Sequence, residues 1–314
     1  MEEFHISGLV AATFTPLKAN GDIDYDKIDD YCQFLSNEGI SQVYVNGSTG
    51  EGPSLTTEER MKTTECWVKA GRKNSRMSKI LVQVGGTTLR DSIALARHAE
   101  SEGVAAISSL PPIYFPISTM GDLVEYCRQV AAAAPSTPFY YYHIPAMTRV
   151  NLDMATFLET ARDVIPTLRG VKYSHQDLVQ MCHCLRSRDR HGRAFNILYG
   201  CDEQLMAAVV LGADGAIGST YNHMAGTFHR LLALLSQSDL PGALAEQHRS
   251  QDFVQQLYRY GAKTGGSLPT GKAVMSFVGC DVGPVRPPLR SLQPDERSEF
   301  YERLKSIGFF EWRK

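Results

Sequence analysis

Short apolar runs recur along the chain, separated by longer stretches with the i, i+3, i+4 spacing of amphipathic helices. The runs cover residues 8–16, 43–47, 80–86, 105–112, 139–145, 169–174, 195–200 and 215–220. They are nearly continuous in hydrophobicity rather than alternating, which suits parallel strands buried on both faces. Eight runs in roughly 210 residues give a repeat of about 27, the length of one strand and one crossover helix. The intervening segments carry helix starts. Thr56-Thr57-Glu58-Glu59 opens one, and Thr88 stands three residues before Asp91 at the head of another containing Ala94, Leu95, His98 and Ala99. From about residue 225 to 306 the pattern is helical, with no further strand.

This order predicts an α/β fold, a (β/α)8 TIM barrel with a C-terminal helical extension. Residues 1–224 are expected to form the barrel core and 225–314 a helical region completing the same single domain. A doubly wound open sheet is the rival, and it would place a Gly-rich phosphate-binding turn after the first strand. Leu17-Lys18-Ala19-Asn20-Gly21 is no such turn.

Composition narrows the function classes. The 314 residues are 43% hydrophobic and 21% charged, so a globular protein is expected rather than a disordered or fibrous one. A net charge of -2 gives no electrostatic reason for nucleic acid or an anionic membrane as partner. No apolar run approaches the roughly 18 residues of a membrane span. Seven scattered cysteines suit reduced thiols better than a disulfide framework, and Met1-Glu2-Glu3-Phe4-His5 lacks the order of a signal peptide. A cytoplasmic protein is the expectation. Cys182-His183-Cys184 invites a metal, but on a helix residues two apart diverge by about 200° and cannot share one ion.

In a barrel the chemistry sits where strands run into the loops that lead to their helices. The second run ends Asn46-Gly47-Ser48-Thr49-Gly50-Glu51-Gly52, either an ordinary glycine turn or a nest of N–H groups for a carboxylate or phosphate. The sixth holds Lys172 between Val171 and Tyr173, and lysine is almost never buried in an apolar strand without a reason. Facing inward beside Tyr142 of the fifth run, it would be a nucleophile candidate; facing outward it would only snorkel between helices. Free lysine has a pKa of about 10.4, and burial can bring that to about 7–8. A neutral amine attacks carbonyls, and the resulting iminium is an electron sink for making or breaking an adjacent carbon–carbon bond. The seventh run leads into Gly200-Cys201-Asp202-Glu203, and the eighth into Ser219-Thr220-Tyr221-Asn222. The two carboxylates can serve a helix N-terminus or accept hydrogen bonds from sugar hydroxyls.

Taken together, Tyr44-Val45-Asn46-Gly47-Ser48-Thr49-Gly50-Glu51-Gly52, Phe139-Tyr140-Tyr141-Tyr142-His143-Ile144-Pro145-Ala146, Gly170-Val171-Lys172-Tyr173-Ser174, Gly200-Cys201-Asp202-Glu203-Gln204 and Gly218-Ser219-Thr220-Tyr221-Asn222 resemble the pyruvate-dependent class I aldolases related to dihydrodipicolinate synthase. The likeness runs from Gly8 nearly to the C-terminus, and is greatest to the vertebrate sialic acid-cleaving members. It implies reversible cleavage of N-acetylneuraminate to pyruvate and N-acetylmannosamine, with no metal or organic cofactor. By the same resemblance Lys172 forms the Schiff base and Tyr142 moves the proton. Ser48 and Thr49 hold the 2-oxo acid carboxylate, and Ser174, Gly200, Asp202, Glu203 and Ser219 line the sugar site. Tyr44 and Tyr114 are accessory, Tyr114 matching a tyrosine that reaches a neighbouring subunit's site within a homotetramer. A 2-keto-3-deoxy sugar acid aldolase, a dihydrodipicolinate synthase and an inert barrel binding a small acid remain as alternatives.

Departures from the resemblance matter as well. Met147 stands where dihydrodipicolinate synthases carry an arginine that binds their substrate's carboxylate, which argues against that substrate. Arg149 occupies a position usual for glycine, so the adjoining loop is open to a different shape. His175 is unexpected and could meet substrate or solvent. Gly266-Ser267-Leu268-Pro269-Thr270-Gly271-Lys272-Ala273 nearly spells a nucleotide-binding loop. It lacks the Ser/Thr that would ligate magnesium and follows no strand, so it reads as the opening of a helix containing Val274 and Met275.

Overall fold

A computed structural model describes residues 4–314. The apolar runs form β1 (Gly8–Ala12), β2 (Gln42–Val45), β3 (Lys79–Gln83), β4 (Ala106–Ser109), β5 (Phe139–His143), β6 (Leu168–Tyr173), β7 (Asn196–Tyr199) and β8 (Gly215–Gly218). All pair in parallel with their sequence neighbours, and β8 closes on β1, giving the eight-stranded TIM barrel that the spacing predicts.

Helices α1 (Lys27–Asn37), α2 (Thr57–Lys73), α3 (Leu89–Glu102), α4 (Met120–Ala132), α5 (Pro145–Thr148), α6 (Met154–Ala161), α7 (Leu178–Arg186) and α8 (Leu205–Val210) alternate with the strands. Then follow α9 (Tyr221–Ser236), α10 (Leu240–Gly261), α11 (Ser267–Phe277), α12 (Pro294–Ser306) and α13 (Phe309–Trp312). The helix starts read from sequence are real caps. Thr56 Oγ1 accepts from Glu59 N–H at 3.2 Å while Glu59 Oε2 accepts from Thr56 N–H at 2.9 Å, and Thr88 Oγ1 accepts from Asp91 N–H at 3.0 Å. Each satisfies donors that a helix leaves unpaired at its first turn.

Strand alternation sorts side chains into two cores. Val10, Tyr44, Leu81, Tyr140, Tyr142, Leu198 and Ile217 fill the barrel interior. Their neighbours Val43, Val45, Val82, Tyr141, Val171, Tyr173 and Ile197 point outward into the layer beneath the helices. Both faces are therefore apolar, which is why the sequence runs look continuous. The strands are shorter than those runs. β1 stops at Ala12 rather than residue 16, and β3 at Gln83 rather than 86. The surplus residues at the C-terminal ends leave the hydrogen-bonded ladder and become the loops that build the site. No helix among the described residues is long and apolar enough to cross a membrane.

Candidate active site

β6 sets Lys172 in register with Tyr142 of β5 on one side and Leu198 of β7 on the other. Strand alternation then sends Lys172 inward, where it is 3% exposed. Its Nζ lies 3.9 Å from the ring centroids of both Tyr44 and Tyr142, which meet edge to face at 89°. Tyr44 itself is fixed by a 2.6 Å hydrogen bond between its hydroxyl and Ser108 Oγ. Burial pulls the Lys172 ammonium down from 10.5 to about 7, and the charge of Asp202 pulls weakly the other way. About half of the amine is thus neutral near pH 7, against about one in 2,500 for a free lysine.

The Tyr142 hydroxyl lies 3.3 Å from Ser48 Oγ. Burial raises its pKa, and the hydroxyls of Ser48 and Ser174 offset part of that rise. At neutral pH Tyr142 is a protonated phenol, a donor held beside a half-neutral amine. Ser48 arrives from the turn after β2, which starts at Asn46 in the left-handed conformation (φ 60°). Asn46 Nδ2 donates to Arg60 O at 3.0 Å and Thr64 Oγ1 at 3.2 Å, pinning the turn to α2. Gly52 closes it, because a Cβ there would lie 2.1 Å from Asn46 O.

Asp202 sits in a short 3-10 turn after β7 and is 6% exposed. Its Oδ2 accepts from Thr220 N–H at 3.0 Å and Thr220 Oγ1 at 2.7 Å, whereas Oδ1 is buried with no hydrogen-bond partner among the described residues. Burial raises the pKa of Asp202 against these bonds, and burial likewise raises Glu203. Gly218 makes room for Asp202: a Cβ there would lie 1.8 Å from Asp202 Oδ1.

These groups surround one cavity of about 280 Å³ at the C-terminal mouth of the barrel. Of the eleven residues singled out from sequence, nine line it: Ser48, Thr49, Tyr142, Lys172, Ser174, Gly200, Asp202, Glu203 and Ser219. Tyr44 lies beneath Lys172 rather than in the wall. Tyr114 lies outside this cavity, 78% exposed, with the equally exposed Phe115 edge to face against it. His175 faces away as well. Its ring packs against those of His143 and Tyr173 on the outer side of the barrel, away from the cavity. Residue parity explains this, since Lys172 and Ser174 point in and the odd positions point out. Arg149 adopts the left-handed conformation (φ 61°) that glycine would take more easily, so the loop keeps a glycine-like turn.

Sequence reading missed the far wall. Phe14, His223, Leu257, Tyr258 and Leu268 also line the cavity. His223 follows the quoted Gly218 motif by one residue, and Phe14 lies at the end of the first run, so position in the repeat could have flagged both. The wall from α10 and α11 has no such signal. Neither metal-like feature touches this site: Cys182 and Cys184 lie on α7, while the cluster of Glu65, His98 and Glu102 joins α2 to α3.

The arrangement offers a poised amine, a phenol at its side, a turn bearing two hydroxyls and two carboxylates, all facing one cavity. Its composition fits carbonyl chemistry on a hydroxylated acid. The chain matches the dihydrodipicolinate synthetase family model over residues 5–307. It is 39% identical over 306 residues to N-acetylneuraminate lyase of Rattus norvegicus, covering 97% of this chain and 93% of the relative. The Homo sapiens N-acetylneuraminate lyase is 38% identical over the same shares. The solved structure of Proteus mirabilis N-acetylneuraminate lyase superposes with a TM-score of 0.90 at 37% identity, covering 97% of this chain and 99% of that one. With family, relatives and barrel in agreement over nearly its whole length, this chain belongs to the dihydrodipicolinate synthetase family.

Proposed function

We propose that this protein is a class I aldolase that cleaves N-acetylneuraminate reversibly to pyruvate and N-acetylmannosamine. One observation carries the reading: Lys172 Nζ is buried between two tyrosine rings, its pKa drawn to about 7, with the Tyr142 hydroxyl linked to the turn that bears Ser48 and Thr49. The relatives named above supply the substrate.

In this scheme the neutral Lys172 amine adds to the C2 carbonyl of the open-chain sugar acid, and Tyr142 donates the proton with which the adduct loses water, leaving an iminium and a tyrosinate. The tyrosinate then takes the proton of the C4 hydroxyl as the C3–C4 bond breaks, which restores the phenol. The electron pair of that bond flows into the iminium and forms an enamine, and N-acetylmannosamine departs. Protonation at C3 and hydrolysis then release pyruvate and restore the amine. Ser48 and Thr49 hold the carboxylate, while Ser174, Gly200, Asp202, Glu203 and Ser219 receive the polyol. The unpartnered Asp202 Oδ1 supports that role, because a buried acceptor is costly until a hydroxyl reaches it. The covalent iminium is the electron sink, so the scheme calls for no metal or organic cofactor.

A homotetramer in which Tyr114 reaches a neighbouring copy's site belongs to the same reading. Its support is the exposed pair Tyr114 and Phe115, which lies outside its own chain's cavity. The seven unpaired thiols support a cytoplasmic location.

Incubation with pyruvate and borohydride, followed by peptide mass spectrometry, tests the mechanism. A single reduced pyruvyl group on Lys172 is expected. Labelling of another lysine, or none, overturns it. Cleavage of N-acetylneuraminate, with condensation of pyruvate preferring N-acetylmannosamine over aspartate semialdehyde, tests the substrate; the reverse preference would displace it and leave the aldolase standing.

A further inference from the structure

A second buried lysine lies behind the turn that bears Ser48 and Thr49. Lys272 of α11 is 3% exposed, and its Nζ reaches three separate segments, through one ion pair and two hydrogen bonds. It meets Glu51 Oε1 at 2.7 Å, Thr15 O at 2.8 Å and Pro284 O at 2.6 Å. Glu51 is itself 3% exposed, and its other oxygen accepts from Arg286 N–H at 3.0 Å. It is held with φ at +55°, a conformation that non-glycine residues seldom adopt without tertiary support. Glu51 N–H donates to Ser48 O at 3.1 Å, and Thr15 Oγ1 donates to Gly50 O at 2.6 Å. Ser48, Gly50 and Glu51 are thus backed, directly or through one neighbour, by this ion pair, and Thr49 lies between them. The same α11 supplies Ser267, Leu268 and Gly271 to the cavity wall.

We propose that the buried Glu51–Lys272 ion pair is the positioning device of the carboxylate site, holding the Ser48 and Thr49 turn in the shape that receives a 2-oxo acid carboxylate and locking it to the α11 wall. The proposal rests on the aldolase reading, in which that turn binds the carboxylate. Neither residue touches substrate; both act through the backbone of the turn.

The test compares a carbonyl compound that carries a carboxylate with one that does not. Pyruvate and acetaldehyde both form an iminium with Lys172 that borohydride traps, but only pyruvate uses the turn. Removing one partner strands a buried charge, so the informative variant is Glu51→Gln with Lys272→Met, which removes both charges at nearly constant volume. The pyruvate concentration for half-maximal labelling of Lys172 should rise about 10–100-fold, the worth of charge-assisted contacts to a carboxylate. Acetaldehyde labelling should be unchanged. Unchanged pyruvate saturation, or equal loss with both compounds, overturns the proposal. Should the double variant not fold, Glu51→Asp keeps the charge on a shorter stem, and the same selective rise is expected from it; a parallel change or none overturns the proposal equally. If wild-type protein labels Lys172 with neither compound, the aldolase reading fails instead.

Discussion

Two lysines are buried almost equally in this barrel and live under opposite electrostatic regimes. Lys172 sits between aromatic faces with no carboxylate in contact, and burial brings it to about 7. Lys272 is also lowered by burial, but Glu51 at 2.7 Å offsets part of that drop, and its Nζ donates to two carbonyls. Burial is common to both, so it cannot by itself distinguish a reactive lysine from a structural one. The partner does. A saturated ammonium is held charged and works as a clamp, whereas an unpaired one yields its proton and becomes a nucleophile.

The sharpest way to break this contrast is to delete each side chain in turn. Lys172→Met should lower aldol cleavage by a factor on the order of 10⁴ or more while the fold persists, as removal of a covalent nucleophile does; steady-state assay with circular dichroism measures both. Substantial residual turnover would assign the nucleophile elsewhere. Lys272→Met should instead destabilise the protein by about 3–5 kcal/mol in urea unfolding at pH 7, because Glu51 is left charged and buried. A change below about 1 kcal/mol would mean that the pair is not the clamp described above.

The pH dependence of stability tests the Lys172 side of the contrast. A lysine whose folded pKa lies near 7 and whose unfolded pKa lies near 10.5 binds fewer protons in the native state between those values. Below pH 7 the native state carries the full cost of the buried charge, and stability rises with pH from about 7 to 10.5. Lys172→Met should therefore stabilise the protein by about 3–5 kcal/mol at pH 6, a gain that fades toward pH 10. A gain independent of pH would point to packing rather than charge.

The smallest effect refines the comparison. Asp202 does for Lys172 at a distance what Glu51 does for Lys272 in contact, raising its pKa. Asp202→Asn should shift the acid limb of pyruvate trapping to lower pH by less than about one unit. A shift to higher pH would reverse the assigned sign.

Much of this site is legible in the sequence. The continuous apolar runs at about 27-residue intervals required strands buried on both faces, and a closed parallel barrel is the arrangement that supplies two such faces with helices on one. Within it, Lys172 between Val171 and Tyr173 was conspicuous because a charge in such a run has to be paired or perturbed. Strand parity could also have placed His175, which the sequence reading left open to the substrate although its side chain belongs to the outer layer.

What the chain order could not supply is contact between residues far apart along it. Tyr142 stands beside Lys172 because β5 and β6 are paired neighbours, but Tyr44 reaches the same amine from β2 only because the sheet closes into a barrel. Lys272 illustrates the point in reverse. In sequence it belongs to a stretch resembling a nucleotide-binding loop, yet tertiary packing buries it within α11 against Glu51 and two carbonyls. Hydrophobic patterning determined where the strands lie, and strand alternation which side chains share a face, since both are local properties of the chain. Whether a buried charge keeps its proton depends on what lies within a few ångströms, and only the folded chain decides that.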